Sequence, residues 1–323
     1  MTFSRILGTG SYLPERVMHN QEFEQWIDTS DAWIRSRTGI QSRHIAADEQ
    51  TCADLAQAAA VKAIEAANLT ATEIDLIVLA TSTPDQIFPS TAARLQERLD
   101  VPAGTIAFDV SAACSGFIYA LDVADRFIRT QGATRALVIG SEVFSRILNW
   151  EDRGTCILFG DGAGAVVLGA ADEPGIVSTH LHTDGRQEHL LNVPWGVAQG
   201  YAALQGVQGK VTMKGNEVFK VAVRTLGALV EETLEANGLQ HSDIDWLVPH
   251  QANIRIMEAT AKHLNLPMER VVSTVATHGN TSAASIPLAL DTAVRDGRIQ
   301  RADLLLLEAF GAGFTWGSAL IRY

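Results

Sequence analysis

Phe108-Asp109-Val110-Ser111-Ala112-Ala113-Cys114-Ser115-Gly116-Phe117 joins an apolar run, 105–110, to a long helical pattern, 115–131. The run predicts a short buried strand. In the helix Phe117, Leu121, Ala124 and Ile128 fall on one face. Cys114 stands at the join among small neighbours that leave room for a reactant. A thiol at a helix N-terminus meets unpaired N–H groups and the positive end of the dipole, and both favour the nucleophilic thiolate. On this stretch alone the cysteine reads equally well as a small buried hydrophobe.

Outward from that junction, apolar runs at 74–80, 136–140, 165–168, 244–248, 304–307 and 314–321 read as strands. They alternate with helical patterns at 51–68, 89–99, 215–237, 252–264 and 282–295, so the chain is α/β. Asn20 reads as the cap of a helix through Ile27, and Ser30 or Asp31 as the cap of another. The latter carries Trp33 between Asp31 and the arginines Arg35 and Arg37, as a surface helix or as a stacking grip on a nucleotide. Phe159-Gly160-Asp161-Gly162-Ala163-Gly164 lacks the Lys-Ser/Thr ending of a phosphate loop and precedes a strand, which makes it structural. The polar stretch 183–210 reads as a binding loop or cap.

At 323 residues, 47% hydrophobic and 19% charged, the chain is globular. A net charge of −12 argues against general affinity for nucleic acid or anionic membrane. Cys52, Cys114 and Cys156 are too widely spaced for a zinc site or a disulfide framework. The N-terminus has no signal-peptide pattern and no apolar run reaches membrane-spanning length, so a cytoplasmic protein is expected.

The sequence also repeats itself. Residues 63–78 resemble 233–248 at a constant offset, pairing Glu65 with Glu235 and Asp75 with Asp245. Ser111-Ala112-Ala113-Cys114 is echoed by Ser282-Ala283-Ala284-Ser285, and Ala120-Leu121-Asp122 by Ala289-Leu290-Asp291. Two homologous halves, 1–172 and 173–323, packed around a pseudo-twofold axis are expected, with Ser285 as the counterpart of Cys114. In the second half Pro249-His250-Gln251-Ala252-Asn253 and Thr277-His278-Gly279-Asn280 both stand where a strand or turn opens into a helix, the usual place for an α/β site. A lone His or Asn there is most simply structural. Together with Cys114 they form a candidate constellation.

These stretches, with Glu308-Ala309-Phe310-Gly311-Ala312-Gly313-Phe314-Thr315-Trp316-Gly317, resemble end to end a β-ketoacyl-acyl-carrier-protein synthase III of the thiolase superfamily. The resemblance implies a thiolase-like fold layered α-β-α-β-α. It implies that Cys114 takes an acyl group, acetyl first among candidates, from acyl-CoA. His250 and Asn280 would then stabilise the enolate formed as malonyl-acyl-carrier-protein loses CO2. The backbone N–H groups of Cys114 and Ala312 would form the oxyanion hole. Trp33 and Arg153 would sandwich the CoA adenine, with Arg37 near its phosphates and Asn253 along the pantetheine path. Phe88, reaching across a homodimer interface, would close the acyl pocket with Phe144 and Phe310. Lys220, Arg255 and Lys262 would receive the acidic carrier protein. The only substrates implied are CoA and carrier-protein thioesters, with no metal or cofactor.

Gly311-Ala312-Gly313 departs from the family's usual third glycine, a tolerable change where the backbone does the work. The bulky 147–150 segment leaves acyl-chain length open. A starter-unit ketosynthase of a specialised pathway and a non-catalytic acyl-CoA-binding protein are the alternatives. Intact Cys114, His250 and Asn280 speak against the second.

Overall fold

The computed structural model describes residues 2–200 and 209–323. Its strands are β1 (Phe3–Tyr12), β2 (Arg16–His19), β3 (Ser42–Ile45), β4 (Leu76–Ala80), β5 (Ile106–Val110), β6 (Arg135–Glu142), β7 (Gly162–Ala171), β8 (Ile176–Thr183), β9 (Leu191–Asn192), β10 (Thr212–Met213), β11 (Trp246–Pro249), β12 (Leu304–Gly311) and β13 (Thr315–Arg322). The helices of two turns or more are α1 (Asp31–Thr38), α2 (Cys52–Ala66), α3 (Thr91–Arg98), α4 (Gly116–Arg129), α5 (Gly215–Asn237), α6 (Ile254–His263) and α7 (Ser285–Arg295). Two large sheets run β1-β7-β6-β4-β5 and β11-β12-β13-β8. Read from the other end, the second sheet repeats the first strand for strand. It stops one strand short, where Leu247 and Val271 make only an isolated bridge.

The repeated Ile-Asp pairs explain part of this likeness. The Asp75 carboxylate accepts from the backbone N–H groups of Thr134 (2.8 Å) and Arg135 (2.9 Å), pinning the start of β6 beside β4. Asp245 does the same for Leu304 at the start of β12 (2.8 Å). The two halves are then interlocked through their central helices. Asp122 of α4 accepts from Thr179 of β8, whereas Asp291 of α7 accepts from Thr9 (2.7 Å) and Ser11 of β1. Each helix therefore bonds the edge strand of the opposite half.

Between the sheets lies one continuous core. Phe117, Leu121, Ala124 and Ile128 of α4, the expected face, are fully buried against Ala289, Leu290 and Ala293 of α7. Val78, Val138, Leu305 and Leu307 close it from the sheets. Large apolar side chains contribute roughly 1.5–3 kcal/mol each when buried this way. The Ala-rich α2 covers the outer face of the first sheet, so tightly that a Cβ at Gly10 would lie 2.3 Å from the Ala59 carbonyl oxygen. The small residues of α2 are the condition for that contact.

Four expectations change. The 105–110 run is not buried: β5 is the sheet edge and Ile106 is 40% exposed. An apolar pattern marks a covered face but not what covers it. Strand β8 lies in a stretch that the periodicity left unassigned. The helix expected from Asn20 to Ile27 is one turn, Asn20–Phe23, capped by His19; Asn20 is buried inside it and its amide donates instead to Asp31 and the Ile40 carbonyl. Finally, the counterpart of Cys114 is not Ser285. Ala113 and Ser282 are the two residues with positive φ (46° and 49°) that lead into α4 and α7. Cys114 therefore superposes in sequence on Ala283, and Ser285 on Gly116.

Candidate active site

Cys114 lies in a 3-10 turn, Ala113–Ser115, that runs straight into α4. The turn is tied to the β12–β13 loop. The Thr315 hydroxyl lies 2.6 Å from Ser115 Oγ and 3.0 Å from the carbonyl oxygens of both Ala112 and Ala312. Gly311 packs directly on the nucleophile: a Cβ there would sit 2.7 Å from the Cys114 backbone nitrogen. Ala312, the expected second oxyanion donor, follows immediately.

The thiol is buried, and burial pushes it up to about 12. Desolvation of the charge thus works against the thiolate that the helix end favours. The Ser282 hydroxyl, without a hydrogen bond of ordinary geometry among the described residues, is near enough to favour charge on Cys114 and on Glu142. Glu142 is fully buried, and burial raises it to about 7 although Thr83 Oγ1 (2.7 Å) and the Ser82 N–H (3.1 Å) donate to it. Its negative form would raise the Cys114 thiol further.

His250 follows β11, and its N–H donates to the Glu308 carbonyl of β12 (2.8 Å). The next residue fixes the loop. Gln251 donates to the carbonyls of Pro249 (2.7 Å) and Val272 (3.0 Å) and accepts from the N–H groups of Thr274 (2.8 Å) and Val275 (3.1 Å). His250 Nδ1 lies 2.6 Å from Ser285 Oγ, and burial holds the ring neutral by lowering it to about 3. Asn280 is strung between Leu158 and Gly160 by backbone bonds, and its Oδ1 accepts from the Ser282 N–H (2.9 Å). With the acceptor satisfied inside the protein, the amide keeps its NH2 donors for the site.

Cys114, His250 and Asn280 line one cavity of about 280 Å³. Phe310, Glu308 and Thr260 lie within it, while Trp33, Arg37, Arg153, Asn253 and Arg255 also line it. Trp33 stacks against both arginines, with Arg153 Cζ 4.5 Å and Arg37 Cζ 5.3 Å from its ring centre. Asn253 caps α6 by accepting from the Arg255 N–H (2.8 Å). Leu191, inside the polar stretch expected to form a cap, and Met213, just beyond it, reach the same cavity. Residues 201–208 of that stretch lie outside the described residues.

Other candidates stand apart. Phe144 backs the wall by stacking on Phe159 (4.3 Å between centres), and the 147–150 segment packs behind it. Phe88 is 82% exposed and away from the cavity of its own chain. Lys220 on α5 and Lys262 on α6 are exposed and do not line the cavity, whereas Arg255 does, lying over Phe219 (5.0 Å). Sequence reasoning missed Gln251, Ser285, Thr315 and Glu308 as parts of the site. All four fall inside the quoted motifs, but only their contacts give them roles.

Known proteins resemble this chain throughout. A model described as 3-oxoacyl-[acyl-carrier-protein (ACP)] synthase III matches residues 108–185, and its C-terminal companion matches 234–323. The β-ketoacyl-[acyl-carrier-protein] synthase III of Alkalilimnicola ehrlichii is 65% identical over 323 residues, all of both chains. The crystal structure of 3-oxoacyl-[acyl-carrier-protein] synthase III from Aquifex aeolicus VF5 is 48% identical with a TM-score of 0.92, covering 99% of this chain and 100% of that one. The priming β-ketosynthase of the R1128 polyketide pathway has a TM-score of 0.93 at 37% identity, with 99% and 96% covered. The architecture is that of the thiolase-like proteins.

Proposed function

The chain belongs to the β-ketoacyl-[acyl-carrier-protein] synthase III family, and on that footing we propose how its own residues carry the reaction. The enzyme condenses an acyl-CoA primer with malonyl-acyl-carrier-protein, releasing CO2 and CoA, to give the 3-ketoacyl-acyl-carrier-protein that starts fatty acid synthesis. The observation that carries the assignment of residues is the meeting of Cys114, His250 and Asn280 on one cavity wall, with the Asn280 acceptor already satisfied inside the protein.

In the first half-reaction Cys114 Sγ attacks the acyl-CoA carbonyl, the C–S bond to CoA breaks, and the thiol proton leaves with CoA. The N–H groups of Cys114 and Ala312 take the charge on the carbonyl oxygen. In the second, the bond from the malonyl methylene to its carboxylate breaks and CO2 departs. The electron pair passes into an enolate whose oxygen accepts from His250 and Asn280. The carbanion then attacks the acyl-Cys114 carbonyl, and the thiolate leaves and is reprotonated. Decarboxylation supplies the carbanion, so the sequence of steps calls for no metal, cofactor or strong base.

For CoA, Trp33 and Arg153 take the adenine, Arg37 the phosphates and Asn253 the pantetheine arm. A ring held between Trp33 and Arg153 needs about 7 Å, two contacts of about 3.5 Å. The present 4.5 Å means that Arg153 swings aside on binding. Lys220, Arg255 and Lys262 receive the carrier protein. Acetyl-CoA is the primer, with Phe310 and Phe144 limiting the acyl pocket. We take the enzyme to be a homodimer joined through β5, an apolar edge strand, which would bring Phe88 to the partner's pocket. Three unpaired cysteines fit a reducing cytoplasm.

The deciding experiment is intact-mass measurement after incubation with acetyl-CoA, with peptide mapping. One acetyl group on Cys114, absent in Cys114→Ser, is expected. An adduct elsewhere, or normal turnover by Cys114→Ser, refutes the mechanism.

A further inference from the structure

We propose that Ser285 is a positioning residue that locks His250 in the tautomer with its proton on Nε2, so that the ring meets the enolate oxygen as a donor. The proposal rests on the role given to His250 above. Neutral imidazole can carry its proton on either nitrogen, and the bond made by one nitrogen decides the other. Ser285 Oγ lies 2.6 Å from His250 Nδ1, with the two residues 1% and 6% exposed. The Gln251 N–H points at the same oxygen from 3.4 Å. Among the described residues the hydroxyl has no further partner, so its single proton goes to Nδ1. Were Nδ1 the donor instead, the oxygen would accept twice and its own proton would be left unmet in a buried place.

The arrangement is preorganised from both sides. Ser285 opens α7, and the Gln251 amide holds the His250 loop through four bonds. Burial keeps the ring neutral, as a tautomer argument requires. Asn280 follows the same logic: an inward bond from the Ser282 N–H consumes its acceptor and leaves donors facing the cavity. Both enolate-binding side chains are thus made into donors by a neighbour on the 282–285 turn.

The test uses the full chain labelled with 15N-histidine. Long-range 1H–15N spectra report the protonated nitrogen of each ring, and His250→Ala identifies the signal. Wild type is expected to carry the proton on Nε2. In Ser285→Ala the His250 signal should move toward a mixture, and condensation with malonyl-acyl-carrier-protein should fall at least about tenfold. Acylation of Cys114 should fall far less, and Ser285→Thr, which keeps a hydroxyl, should recover much of the loss. A wild-type proton on Nδ1, or wild-type condensation by Ser285→Ala, overturns the proposal. So does an equal loss of acylation and condensation, which would mark a structural role. Should Ser285→Ala not fold, the wild-type spectrum decides alone. Normal condensation by His250→Ala would instead refute the underlying mechanism, whatever the tautomer.

Discussion

Gly311→Ala isolates the contact that seats the nucleophile. The added Cβ would lie 2.7 Å from the Cys114 nitrogen, 3.1 Å from its Cβ and 3.2 Å from its Cα. Ordinary contact begins at 3.4 Å, so one of the two segments must move by about 0.7 Å. Neither can yield cheaply, since the closest atom is backbone and the two loops are bonded together through Thr315. Overpacking of this kind costs about 1–3 kcal/mol, which lowers Tm by several degrees in a chain of this size. The rate suffers more directly. Misplacement by about 1 Å costs a reaction about a hundredfold, so acylation of Cys114 should slow by about ten- to thirtyfold. Single-turnover intact mass with acetyl-CoA measures that rate, and thermal unfolding measures the strain. Gly185→Ala, with nothing within 4 Å of its added Cβ, is the control and should behave as wild type. Acylation by Gly311→Ala within twofold of wild type, with unchanged Tm, would refute the reasoning.

His250→Ala and Asn280→Ala should each still form acyl-Cys114 but release no ketoacyl product above about 1% of the wild-type rate, by mass and product assay. Among the described residues the Glu308 carboxyl has no hydrogen bond of ordinary geometry, and burial, only partly offset by the nearby Thr260 hydroxyl, raises it from 4.5 to about 8. Between those values the folded chain holds a proton that the unfolded chain has lost, so stability falls as pH rises by roughly 1.4 kcal/mol per unit. Glu308→Gln removes that slope, and its Tm relative to wild type should be several degrees better at pH 8.5 than at pH 4.5; an equal difference at both would disprove it. Lys220→Glu with Arg255→Glu should raise KM for malonyl-acyl-carrier-protein several-fold more than KM for acyl-CoA, and the gap should close with salt. Ile106→Lys on the exposed edge of β5 should yield monomers in light scattering if that edge joins two copies.

The sequence by itself determined the α/β class, the repeat, and the three side chains that converge on one cavity. Each of these is written in local pattern: apolar periodicity, the repeated Ile-Asp pairs, and polar residues at strand-to-helix junctions. The motif stretches held Gln251, Ser285, Thr315 and Glu308 in plain view, yet nothing in their spacing said that Ser285 meets His250 within the second half or that Glu308, among the described residues, lacks a hydrogen bond of ordinary geometry. Tertiary structure decided what depends on neighbours far along the chain. It made β5 an edge, turned the counterpart of Cys114 from Ser285 to Ala283, and put Phe88 outside the cavity of its own chain. A helix N-terminus is visible in sequence, but the desolvation that pushes the Cys114 thiol up comes from a wall assembled out of both halves, and only packing supplies it.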